Sequence, residues 1–419
     1  MMQKFSGWEY LLIDVANNFG LDKDTFPERI AWATENLNDL EALGEAKPRW
    51  KTYPLYVKAV MAVRRAQRGD AIGHMVGMDA IASGMQIMSV LTGCFEGAKH
   101  TGLVDTGERP DPYTDMTEVM QQKLGTKVED DREKVKVGVM TSLYGSEKEP
   151  ELLFGKGTKE LEAFEKSMFE ICPGACDALQ LLVDSWNSFA LSHSWTLPDG
   201  FDVNVKVMKK VQKGLEIDEL GGHTMQYVWY ENEGYETDVK NAANVIHSVD
   251  AYIKRCLERR CNYNEEYMAA AHDAIVTELL SRHTYEQVHE IPIFISDKRV
   301  ERYVELYEKS GMADIVIIDY LTSADLKLLS TEHLNALNRI LHQMLLHRPF
   351  EIITVHDDFK AHPNYLNHLR GHYRDILAEM ADSNLFNWLL SQVYGFEGTY
   401  QKRSTNLSSY IRKSNYPLT

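Results

Sequence analysis

Two short apolar runs, near opposite ends of the chain, each stop at a carboxylate. His74-Met75-Val76-Gly77-Met78 runs into Asp79, and Glu351-Ile352-Ile353-Thr354-Val355 runs into His356-Asp357-Asp358. Both runs have the length and composition of buried strands. A strand ending in Asp sets that carboxylate at the edge of a sheet. Two such strands side by side would bring two carboxylates to one place, as two-metal phosphoryl transfer requires with ions roughly 4 Å apart. Taken singly, a strand-end Asp is more often a turn cap than a ligand.

A third feature lies between them. Arg132, Lys136, Met140 and Tyr144 recur every four residues in a helical pattern from Asp130 to Tyr144. At ~100° per residue, each step advances only ~40°, so the four share one face. Arg and Lys one turn apart suit a polyphosphate, the first as a fork and the second as a point charge. Tyr144, followed by Gly145, offers a ring to a base or sugar. Alone, this segment is better read as a solvated surface helix.

The rest of the pattern supplies the setting. Residues 1–70 read as helical, with Pro54 opening an apolar helix that Gly69-Asp70 ends. Residues 85–92 return to helix, 97–115 read as a connection, and 158–192 as long helices broken at Cys172-Pro173-Gly174. Leu197-Pro198-Asp199-Gly200 begins a turn between strands, and 203–230 alternate like a hairpin. Residues 241–261 read as a helix, Ile315–Ile318 as a strand, and the last 20 residues as a polar tail. No apolar run is long enough for a membrane span, and the N-terminus has no signal-peptide pattern. The five cysteines lack zinc-knuckle spacing and read as free thiols. A net charge of −17 argues against nucleic-acid binding through the bulk field. It leaves room for a local patch, and Lys206, Lys209, Lys210 and Lys213 are the best candidate; a solvated ribbon is nearly as good a reading of them.

In this order, the three chemical features resemble motifs A, B and C of right-handed polymerases. Two families share them: A-family DNA polymerases and the single-subunit RNA polymerases of phages and mitochondria. The second is the better match. Where the DNA enzymes carry a Glu that blocks the ribose 2′-hydroxyl, this chain has Gly84, within Ser83-Gly84-x-Gln86. Ala16-Asn17-x2-Gly20-x-Asp22-Lys23-x2-Phe26-Pro27-Glu28-Arg29 is similar to the family's segment before the palm. Trp195-x2-Pro198-Asp199-Gly200-Phe201 is similar to the strand leading to its specificity hairpin. Ala242-Ala243-Asn244-Val245-Ile246-His247-Ser248-x-Asp250 is similar to a further family segment. The resemblance covers about 10–261 and 350–395.

The resemblance implies an α+β, mostly helical fold, with a small antiparallel palm sheet built from both ends of the chain and helical fingers. It implies palm at 1–95, fingers at 96–200, a specificity-hairpin-like region at 201–240, and palm again at 241–419, with an insertion of unassigned role at about 262–349. It implies two Mg²⁺ ions on Asp79, Asp357 and the Ala80 carbonyl. Lys136 would contact the triphosphate and act as general acid, Arg132 and Lys23 would hold the β- and γ-phosphates, and Tyr144 and His247 would read the ribose. It implies DNA template, RNA product, ribonucleoside triphosphates, and the cytoplasm of an infected bacterial host. The family's N-terminal domain and thumb find no counterpart. That resembles the larger subunit of the split, heterodimeric RNA polymerases of some podoviruses. It implies a second polypeptide, and it leaves a place for a promoter-opening or single-strand-binding accessory protein. Departures are Asp358 where Ser is usual, Val137 after the motif B Lys, and Ala80 after the motif A Asp. An A-family-like DNA polymerase or primase fragment, and a non-catalytic DNA-binding subunit, remain the alternatives.

Overall fold

The structure, a computed structural model, describes residues 2–47, 51–126, 131–284 and 297–419. Among these are seven strands: β1 (Val76–Asp79), β2 (Ser192–Thr196), β3 (Asp202–Lys206), β4 (Lys209–Ile217), β5 (His223–Glu231), β6 (Ile352–Val355) and β7 (Asp358–Ala361). They form three antiparallel sheets, ordered β1-β7-β6, β2-β3 and β4-β5. The other regular elements are helices, so the α+β, mostly helical expectation holds.

The first sheet joins the two ends of the chain. Strand side chains alternate between faces, so Val76, Met78, Phe359 and Ala361 enter the core while Gly77, Asp79, Asp358 and Lys360 take the opposite face. The helix Gly7–Ala16 meets β1, Lys240–Cys261 meets β6, and Tyr373 of Leu366–Asp382 meets Phe359; the last two helices also pack on one another and on Ser83–Thr92. The helix Ser83–Thr92 is central to this packing. It is buried throughout from Met85 to Thr92, as suits a helix apolar on all sides. Its buried Gln86 is fully bonded: the amide donates to the carbonyls of Thr101 and Pro417, and its oxygen accepts from Tyr373 Oη. Such a satisfied polar group fixes how three segments meet.

Three expectations need correction. The connection at 97–115 is shorter. The helix Phe95–His100, capped by Cys94 Sγ, occupies its start, and Pro112–Leu124, capped by Asp111 with Pro at its first position, occupies its end. Ile315–Ile318 is a 3₁₀ turn, Ile315–Tyr320, not a strand. Short apolar runs do not distinguish strand from buried helix by periodicity, and here the Asp314 side chain accepts the Val316 amide and winds the turn. The end of the chain is not a solvated tail. Ser414, Asn415, Tyr416, Leu418 and Thr419 are buried. Leu418 bridges to Ala80, and Thr419 exchanges backbone hydrogen bonds with Asp79 at 2.9 and 3.1 Å.

The helix expected from residue 130 begins, within the described residues, at Asp131 and runs to Ser142; residue 130 lies outside them. Much of 262–349 forms a second apolar cluster around Ile275, Ile317, Leu334, Leu337 and Leu341; residues 285–296 of that segment lie outside the described residues. Arg259 connects this lobe to the rest by contacting Asp314 at 2.6 Å and Asp199 at 3.4 Å, beside the Arg255–Asp199 pair. The β4-β5 ribbon, in contrast, exposes nearly every side chain. The described cysteines are free thiols, and among the described residues no helix is long and apolar enough to cross a membrane.

Gly102 shows what holds the chain's final segment. Its φ is +74°, and a Cβ there would sit 2.3 Å from the Tyr416 carbonyl oxygen. Ser414 Oγ also donates to the Gly102 carbonyl. Gly102→Ala must strain the backbone and push the segment away, so we expect a loss of roughly 2–4 kcal/mol in denaturant unfolding. Gly107→Ala, with open space around it, should cost about 1 kcal/mol from the φ term alone.

Candidate active site

The hydrogen-bond register sets the site. In β1-β7, Asp79 stands opposite Asp358. One residue on, the Ala80 amide donates to the Asp357 carbonyl at 3.1 Å. The segments carrying Asp79 and Asp357 are therefore bonded directly through their backbones. Asp357 lies in the two-residue turn between β6 and β7, whose first residue, His356, has φ +56°. Ala82, three residues after Asp79, has φ +51° and precedes the helix Ser83–Thr92. Among the described residues these are the non-glycine positions with left-handed backbone. Such conformations cost of order 1–3 kcal/mol and concentrate at functional sites. No sequence signal marks either one, because neither residue type favours positive φ strongly.

Gly77 makes room on the same face. A Cβ there would lie 2.6 Å from Asp358 Oδ1. Asp358 also pairs with Lys360 at 3.1 Å. The Asp79 carboxyl is pushed up to about 7, first by the desolvating bulk around it and then by the charges of Asp357 and Asp358. Burial raises the Asp358 carboxyl too, against the pull of Lys360. Among the described residues no three His, Cys, Asp or Glu side chains are gathered as a complete metal cage. Mg²⁺ does not need one, since it commonly uses one or two carboxylates and fills its shell with water and phosphate oxygens. Asp79 and Asp357 are hard-oxygen donors on segments joined by a backbone hydrogen bond, and donors of that chemistry fit such an ion.

Arg132 and Lys136 approach from the helix Asp131–Ser142. Arg132 and Lys136 both lie over the Tyr113 ring, at 5.5 and 5.9 Å from its centroid, as one shared face requires. Arg132 is also held by Asp111 through two hydrogen bonds of 2.7 and 3.1 Å. Burial alone would raise the Asp111 carboxyl, but Arg132 more than offsets it and the carboxyl lies below its usual range. Lys23 follows a π-helical turn, Asn17–Leu21, and contacts Asp22 at 3.0 Å. The buried Arg29 shapes that turn by donating to Asn17 Oδ1 and the carbonyls of Asp22 and Asp24. Sequence reasoning missed Arg109, which lines a cavity of about 690 Å³ together with Lys23, Asp79 and Asp358.

Gly84, Tyr144 and His247 meet in another corner. A Cβ on Gly84 would lie 3.7 Å from the Tyr144 hydroxyl, and the rings of Tyr144 and His247 are 4.6 Å apart. His247 projects from the helix Lys240–Cys261, which Trp195 anchors by donating its indole N–H to Ser248 Oγ at 3.0 Å. The candidate DNA-contacting lysines lie elsewhere, Lys206 at the end of β3 and Lys209, Lys210 and Lys213 on the exposed ribbon. Alternation puts Lys209 and Lys213 on one ribbon face and Lys210 on the other.

Residues 3–149 match the family model described as DNA-dependent RNA polymerase. The matched stretch contains Lys23, Asp79, Gly84, Arg132, Lys136 and Tyr144, while His247 and Asp357 lie beyond it. No curated protein matches the chain.

The raised Asp79 carboxyl carries a stability prediction. In the unfolded chain Asp titrates near its ordinary value of 3.8. Between that value and about 7, the unfolded chain ionises first, so folding stability is lost as pH rises. In chelator-treated protein, Asp79→Asn should therefore melt like wild type at pH 4 and be more stable at pH 8. Asp79 remains exposed to solvent on one side, so screening limits the gain to roughly 1 kcal/mol. Equal melting curves at both pH values would remove the charge-crowding account.

Proposed function

We propose that this chain catalyses DNA-templated RNA synthesis. The 3′-hydroxyl of an RNA strand attacks the α-phosphate of a ribonucleoside triphosphate and pyrophosphate leaves. The observation that carries the reading is the direct backbone bond between the Asp79 and Asp357 segments. The family match over residues 3–149 supports the polymerase class.

Asp79 and Asp357, with the Ala80 carbonyl, would hold Mg²⁺. When bound, the metal supplies acidification of the attacking hydroxyl and charge neutralisation at the leaving group. The chain's own groups do the rest. Arg132 and Lys23 exchange their carboxylate partners for phosphate oxygens, which orients the triphosphate. Lys136 would give its proton to the departing pyrophosphate. Gly84 leaves the space beside Tyr144 open for a ribose 2′-hydroxyl, and His247 packs against the Tyr144 ring. The room left at Gly84 is what supports RNA over DNA synthesis. The lysines of the ribbon would contact the DNA, and the exposed Phe189 and Leu191, at 96% and 76% exposure, suit a surface that a second polypeptide covers.

The test is extension of an RNA primer on a DNA template with four ribonucleotides, with and without co-expressed neighbouring proteins. We expect metal-dependent extension that a chelator abolishes. Asp357→Asn should lower kcat at least ~10³-fold, since two-carboxylate metal binding is lost. Wild-type synthesis by that variant would overturn the assignment. Gly84→Glu should cut ribonucleotide incorporation while deoxyribonucleotides are affected less; equal losses would argue that Gly84 does not border the sugar.

A further inference from the structure

The cations of the candidate site are not alike. Lys23 contacts Asp22, Lys360 contacts Asp358, and Arg132 is gripped by Asp111 from two nitrogens. Each has a carboxylate beside it. Arg109 has none within ion-pair distance among the described residues; Lys136 and the cavity-lining Lys58 have none either, and of the three Arg109 alone is a guanidinium. Its Nη1 donates to the carbonyl of its neighbour Pro110 at 3.1 Å, and its Nη2 reaches Thr419 Oγ1 at 3.4 Å. Its Nε is buried without a partner. A guanidinium offers five N–H donors in a planar fork. Here two of them meet neutral oxygens and one meets nothing.

Its position adds to this. Arg109 lines the 690 Å³ cavity on the side where Asp79 and Lys23 also project into it. The charges of Asp22, Asp111 and Asp79 all act on it, while the charge of Arg132 opposes it. Of these carboxylates, Asp22 and Asp79 line the same cavity. An arginine with spare donors, lining a cavity that Lys23, Lys58 and Lys360 also line, is arranged for a polyanion with several oxygens. A single chloride or carboxylate would use only part of that reach.

Resting on the polymerase reading, we propose that Arg109 is the first anchor for the terminal phosphates of the incoming nucleoside triphosphate, and that it holds the pyrophosphate product in the same place. Arg132 and Lys23 join only by releasing Asp111 and Asp22, so they tighten the grip after Arg109 has made contact. Arg109 has a second connection. Its Nη2 meets Thr419, whose backbone is bonded to Asp79 on both sides. Phosphate taken up by Arg109 draws that nitrogen from a long contact, and the strand partner of Asp79 registers the change.

Equilibrium binding of inorganic tripolyphosphate to the full chain, in chelator, tests this without requiring synthesis. Arg109→Gln should weaken binding roughly 10- to 100-fold, the usual effect of losing a charge-assisted phosphate contact. Arg109→Lys should recover part of it, since the charge returns without the fork. Arg132→Gln should lose less than Arg109→Gln. The same series with inorganic pyrophosphate and with a ribonucleoside triphosphate separates product from substrate holding; a loss confined to the triphosphate would remove the pyrophosphate half of the proposal. In primer extension, Arg109→Gln should raise KM for ribonucleotides by about the same factor while kcat changes far less. Binding by Arg109→Gln equal to wild type would overturn the proposal. So would equal losses in the Lys and Gln variants that track a fall in melting temperature, which would mark a structural role. Arg109-dependent tripolyphosphate binding in a chain that never extends a primer would instead defeat the polymerase reading and leave a polyphosphate site.

Discussion

The fold turns on one antiparallel pairing, that of β1 with β7. It brings Asp79 opposite Asp358 and bonds the Ala80 amide to the Asp357 carbonyl. Like charges placed directly across a strand pair are destabilising, so this register would not persist on the strength of its outer face. The inner face decides it. Met78 and Phe359 are cross-strand partners, and both are buried in the main core, Phe359 against the Tyr373 ring. A shift of one residue would turn both outward and the carboxylates inward. On the free side of Asp79, Thr419 completes the backbone hydrogen bonding. The apolar face thus fixes a charged arrangement that the charges themselves resist.

The same logic extends along the backbone. Ala82 and His356 hold left-handed conformations within a few residues of the two carboxylates. Firmly held neighbours retain each of them: the fully buried run Met85–Thr92 after Ala82, and the β6-β7 ladder around His356. Repulsion, strain and a glycine-dependent close approach at Gly77 all fall on one face of a three-stranded sheet. Stability is supplied from the other face, and the separation lets the outer face be shaped for chemistry.

Part of this arrangement could be read from residue types and spacing. Asp79 and Asp357 stood out because an apolar run ending in a carboxylate is a local pattern. Arg132 and Lys136 stood out because a four-residue period is local too, and their shared contact with Tyr113 agrees with it. The β4-β5 ribbon followed from alternation. What escaped was nonlocal. The burial of residues 414–419 depends on Gly102 and Gln86, more than 300 positions away, and polar composition gives no hint of it. Arg109 looks like any loop arginine until the fold brings it to the cavity that Asp79 also lines. Ile315–Ile318 misled because its apolar run meets a helical lobe where no sheet edge is available, and a capping Asp314 then settles the turn.

The net charge of −17 fits this view of the site. A chain this acidic has carboxylates to spare near its cations, and the outer face shows the result in Lys23 with Asp22, Arg132 with Asp111 and Lys360 with Asp358. Partnered cations are oriented before a ligand arrives, which lowers the ordering cost of binding. They are also weakened, because a phosphate must displace a carboxylate to reach them. Half-exposed pairs such as Lys23–Asp22 are worth little and exchange easily, whereas the bidentate Arg132–Asp111 pair resists exchange. A site built only from such pairs would bind a polyphosphate slowly or weakly. A guanidinium without a carboxylate removes that difficulty, because its contact requires no exchange and brings the remaining phosphates within reach of the paired groups.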